Sequence, residues 1–119
     1  MKEYIYLLLP FIILIVDLPW LMLNSKSART MIENIQGSQM NVKILPSVVV
    51  YIALAYLATI PKDILSAFLL GLCTYAVYDF TNLATLNKYS LQFAIMDSLW
   101  GGVLFMILFK IIKLLDKWI

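Results

Sequence analysis

Four long apolar runs decide what this chain can fold into. They lie at about 4–23, 44–60, 64–82 and 91–109. A helix that crosses a bilayer needs about 20 largely apolar residues. Only 13% of the 119 residues are charged, 63% are hydrophobic, and the mean hydropathy is +0.91. A soluble domain carries roughly 25% charged residues, so no soluble core of this length could hide so much apolar surface. The expected fold is therefore all-α. It is an integral, multi-pass bundle of four transmembrane helices forming one transmembrane domain over 1–119, embedded in the lipid bilayer.

The links refine this picture. The "PKD" between the second and third runs is short enough to force an antiparallel hairpin. The longer link "NSKSARTMIENIQGSQMNVK" places Ala28, Met31, Ile32 and Ile35 on one helical stripe. It predicts an amphipathic interfacial helix between the first and second spans. Ser25 or Ser27 would cap it and Gly37 would end it, with Lys26 and Arg29 at the headgroups. Four spans leave both termini on one side, here called the terminal side, with Lys2, Lys62, Lys110, Lys113 and Lys117. The far side holds Lys26, Arg29, Lys43 and Lys88. Five against four favours cytoplasmic termini.

Composition also excludes chemistry. There is no histidine, which removes Ser-His catalysis and histidine metal ligation, and the net charge of +2 argues against nucleic acid. The single cysteine, Cys73, sits in an apolar run and reads as a small packing residue. The N-terminal run carries Asp17 and Trp20 and no A-x-A site, so it reads as a retained helix.

Three aspartates interrupt the apolar runs. Asp17 is seven residues before Asn24, Asp79 three before Asn82, and Asp97 six after Leu91. At about 1.5 Å per helical residue, all three fall roughly 4–11 Å inside the far-side boundary. Their faces agree as well. Ile13, Asp17, Trp20 and Asn24 share a stripe, as do Gly71, Tyr75, Tyr78, Asp79 and Asn82, and Phe93, Asp97, Trp100, Gly101 and Leu104. The spacing in "DLPW" and "DSLW" sets each tryptophan beside the aspartate of its own helix. Pro19 frees the Ile15 carbonyl next to Asp17.

A charged aspartate at the centre of a membrane helix costs about 2.5–3.5 kcal/mol, so three cannot all face lipid. They are expected to face each other or a wet cavity, with at least one protonated or sharing a cation. Three readings fit "YDFTN". It is one wall of a polar ligand or ion pocket, part of a buried network that only fixes helix packing, or an interfacial turn beyond a helix that ends at Tyr78. The candidate pocket is Asp17, Trp20, Tyr75, Tyr78, Asp79, Thr81, Asn82, Asp97 and Trp100.

The segment Tyr78, Asp79, Thr81, Asn82, Leu83, Ala84 and Thr85 is followed by Asp97, Trp100 and Gly101, and preceded by Asp17 and Trp20. In this joint spacing the chain resembles the small four-helix membrane proteins grouped as domain of unknown function 2177. The resemblance covers nearly the whole chain and implies the fold. It brings no activity with it.

Functional readings therefore rest on the aspartates. Oxygen ligands alone suit a proton, a small cation such as Na⁺, Ca²⁺ or Mg²⁺, or an amine. A transporter or channel built on them would need a homodimer, because four helices are few for a pore. An intramembrane enzyme using two aspartates as acid and base fits less well. The chain lacks a paired acidic motif and a basic phosphate-binding cluster, and Ser98 has no basic partner. The alternative is a structural or assembly protein whose aspartate–tryptophan network fixes packing.

Overall fold

The computed structural model describes residues 3–118, and these fold into four helices: α1 (Glu3–Gln36), α2 (Ile44–Ala58), α3 (Ile64–Thr85) and α4 (Leu91–Trp118). No strand occurs among the described residues. Lys2, counted above on the terminal side, lies outside them.

Helix α1 runs 34 residues without a break, through Pro10 and Pro19. The amphipathic segment is helical, as its stripe predicts, but it continues α1 instead of forming a separate element. Nothing between Trp20 and Gln36 can stop a helix, since that stretch has no glycine or proline. Ser25 does not cap; its hydroxyl bonds back to the Met22 carbonyl within the helix. The stop comes at Gly37, whose φ of 72° is the left-handed conformation glycine adopts without strain. Its N–H closes on the Glu33 carbonyl at 2.9 Å.

Helices α1, α3 and α4 are long and apolar enough to cross a membrane, and α2 is a shorter apolar helix of 15 residues. At 1.5 Å per residue α2 is about 22 Å long, below the roughly 30 Å of a hydrocarbon core. Asp63 caps α3 by accepting the Ser66 N–H at 2.8 Å. Helix α3 continues to Thr85, so "YDFTN" is helix and the interfacial-turn reading is set aside.

Helices α3 and α4 make the closest pair, and glycine permits it. A Cβ on Gly71 would collide with the Gly101 carbonyl, and one on Gly101 would stand 2.7 Å from the Gly71 carbonyl. One on Gly102 would reach the Phe68 ring at 2.6 Å. Small residues that let backbones approach are the usual means of packing helices in lipid. Helix α1 packs on α2 and α4.

The core is sorted along the bundle axis. Ile5, Leu9 and Ile13 form a fully buried stripe of α1, facing Leu54, Ala55 and Ala58 of α2 and Leu104, Phe105 and Leu108 of α4. One turn beyond Ile13 on the same stripe comes Asp17, also buried. An apolar tier thus fills the terminal-side half, and a polar tier follows it. The outer surface carries Leu7, Phe11, Ile15, Met22, Leu65 and Val77 exposed, the arrangement lipid tails require. Cys73 lies on this outer surface too. It does not fill the interior, because Ala67, Gly71 and Asp79 take the inward face of α3.

Candidate functional site

In the polar tier the aspartates are paired with aromatic donors across helices. Trp100 Nε1 of α4 donates to Asp17 Oδ1 of α1 at 2.7 Å, and Trp20 Nε1 of α1 donates to Asp97 Oδ1 of α4 at 3.1 Å. Each tryptophan serves the aspartate of the other helix, not its own as the D-x-x-W spacing suggests. Side chains three apart lie on one face, but both point at the facing helix and find their partners there. The two indoles stack with centroids 5.5 Å apart and planes 8° from parallel. The result is a crossed clasp of two hydrogen bonds around one aromatic stack.

Two tyrosines complete the tier. Tyr51 of α2 donates to Asp17 Oδ2 at 3.0 Å, so both oxygens of that carboxyl are partnered. Tyr89, in the link between α3 and α4, donates to Asp79 Oδ1 at 2.8 Å. Burial and then the bond to Asp79 push the Tyr89 hydroxyl above the ordinary tyrosine range, so it stays a donor at neutral pH. Its hydroxyl also meets the Asn82 side chain.

Asp79 is the most enclosed of the three, with no exposed surface. Its Oδ2 meets no N–H or hydroxyl donor among the described residues. Its carboxyl faces that of Asp97, close enough for the two to interact directly. Two carboxyl groups placed this way can hydrogen-bond only when one of them carries a proton.

Of the residues singled out from sequence, Asp17, Trp20, Asp79, Asp97 and Trp100 are joined through this tier. Tyr75 is half-buried, with its ring against Gly101. Asn82 stands beside Tyr89, while Asn24 lies within α1 and donates to the Trp20 carbonyl one turn back. Tyr78 and Thr81 do not join, and both are exposed. Tyr78 is one residue, about 100° of helix, from Asp79, which carries it to the outer face. Pro19 does not contribute either. It and Ile15 lie on the exposed flank of α1, roughly 200° around from Asp17. Tyr51 and Tyr89 were missed. Tyr51 sits on a helix with no carboxylate, and Tyr89 sits in a link.

Among the described residues, no group of three or more Cys, Asp or Glu is spaced to hold a metal ion. The family model described as "Predicted membrane protein (DUF2177)" matches residues 3–111. The chain belongs to this family. No curated protein and no solved structure matches it. Every residue of the polar tier falls inside the DUF2177 match, as do the glycines between α3 and α4.

Proposed function

We propose that this DUF2177 member is a multi-pass membrane protein that binds a proton between Asp79 and Asp97, near its far-side boundary. One observation carries the reading. A fully buried carboxyl faces a second carboxyl where a donor or a cation would ordinarily stand. Intramembrane carboxyls placed in this way are the common proton-binding groups of membrane proteins. Asp17 has a different part. With Trp100 and Tyr51 filling both its oxygens, it fixes packing, as the structural alternative holds. A small cation or an amine finds less support, because the aspartate oxygens are largely occupied by tryptophan and tyrosine donors. The reading stops at binding, since the apolar tier of Ile5, Leu9 and Ile13 closes the way to the terminal side.

Infrared difference spectroscopy of the purified protein tests this. A protonated-carboxyl band should be present in the wild type, lost in Asp79→Asn and in Asp97→Asn, and kept in Asp17→Asn. A band that disappears only in Asp17→Asn, or no band at any pH at which the protein stays folded, overturns the proton site.

A further inference from the structure

A second set of polar groups gathers outside the aspartate tier. The far end of α1 and the α3–α4 link enclose an open groove of about 430 Å³. Lys26 and Lys88 line it, with the hydroxyl side chains Ser27, Thr30 and Ser90. Among the described residues no carboxylate lines it. The two lysines are 62 positions apart in sequence (88 − 26) and meet only because α1 continues beyond the apolar run.

The hydrogen bonds already made leave donors over. Lys88 Nζ gives one hydrogen to the Asn34 carbonyl at 3.2 Å, and an ammonium has two more. Ser90 Oγ accepts the Phe93 N–H at 3.1 Å, so its own hydrogen is free to point outward. The Ser90 N–H is held by Met31 Sδ at 3.3 Å, which pins the link to α1 and fixes one wall. Lys26 is three residues past Leu23, where the apolar run gives way to polar sequence. That is the level of the lipid headgroups.

We propose that this groove binds a phosphate oxyanion. Two ammonium groups and three hydroxyls surround a space without a competing carboxylate, and a tetrahedral oxyanion uses that many donors at once. The anion comes either from the headgroup of an anionic phospholipid or from free phosphate in solution. The site is independent of the proton held by Asp79 and Asp97.

The full chain in phosphatidylcholine nanodiscs is titrated with inorganic phosphate by ³¹P NMR. In parallel, its retention of added phosphatidylglycerol is measured by native mass spectrometry. Wild type and Lys26→Gln/Lys88→Gln are compared, with Lys113→Gln as a control at the far end of α4. Phosphatidylglycerol retained by wild type and the control, and lost at least tenfold in the double variant, establishes the lipid source. Phosphate binding with the same dependence but no lipid retention establishes the free anion. The site is refuted if wild type binds neither probe, or if the double variant binds either one as well as wild type. Should the double variant not fold, Thr30→Ala and Ser90→Ala must weaken binding, and unchanged binding in both refutes the site equally.

Discussion

The crossed clasp makes a prediction about which residues are energetically coupled. Trp100→Phe keeps a flat ring on Trp20 and removes only the donor to Asp17. Interhelical hydrogen bonds in membranes contribute about 0.6 kcal/mol on average and up to ~1.7. The Trp100–Asp17 bond is short, at 2.7 Å, and its carboxyl is buried, whereas the Trp20–Asp97 bond is 3.1 Å. The first therefore belongs near the top of that range, at about 1.5 kcal/mol, and the second nearer the middle. A double-mutant cycle of Trp100→Phe with Asp17→Ala, which removes the acceptor, should show a coupling of that order. The same-helix pairs, Trp20 with Asp17 and Trp100 with Asp97, should couple by less than about 0.5 kcal/mol. Reversible unfolding in mixed detergent–SDS micelles, followed by far-ultraviolet circular dichroism, gives these energies without relying on tryptophan fluorescence. Stronger coupling within each helix than between helices would show that the D-x-x-W pairs are local after all and that the exchange is wrong.

Gly71→Ala should destabilise by about 1–3 kcal/mol, the cost of overpacking, because the new methyl collides with the Gly101 carbonyl; a melting temperature equal to wild type would contradict the close approach of α3 and α4. Gly37→Ala meets nothing within 4 Å and should still cost about 1 kcal/mol through its left-handed backbone, measured in the same unfolding assay. Tyr89→Phe removes the hydroxyl donor to Asp79 Oδ1 and should shift the protonated-carboxyl band, while Tyr78→Phe should leave it unchanged. The backbone N–H of Ser66 holds the Asp63 carboxyl below its ordinary value of 3.8. A lowered folded-state value stabilises above the ordinary one and loses that effect as pH falls through the lowered one. Asp63→Ala should therefore reduce stability at neutral pH, with the difference from wild type shrinking as the pH drops below 3.8.

The helices were legible because each apolar run is long and its polar interruptions are few. The matched depth of Asp17, Asp79 and Asp97 was legible by counting, since helical rise is nearly constant. Partner choice was not legible. The spacing of Asp17 and Trp20 shows that they share a face, but not whether they turn to each other or to α4. Only the docking of α1 on α4 decides that. Tyr78 was assigned to the stripe of Asp79 because an i, i+3, i+4, i+7 pattern spans about 100° of the helix circumference, with Tyr78 and Asp79 at its opposite edges. The observed inward face of α3 runs through Ala67, Gly71 and Asp79. Tyr51 had no carboxylate on its own helix to point to it. Tyr89 lay where sequence pattern describes only a link.

The clasp also constrains how the protein is made. Its bonds join residues 83 and 77 positions apart, and α4 is the last of the four described helices to be synthesised. Helix α1 therefore enters the membrane with Asp17 lacking Trp100 and Trp20 lacking its acceptor, and Tyr51 is the first of these partners to arrive, with α2. Until α4 follows, Asp17 Oδ2 has Tyr51 but Oδ1 still lacks the Trp100 donor. A chain truncated after α3 would keep its apolar tier on α1 and α2 but leave half a clasp open toward the far side. Such a fragment lacks the donor to Asp17 Oδ1 and the acceptor for Trp20, so the clasp closes only when α4 docks on α1.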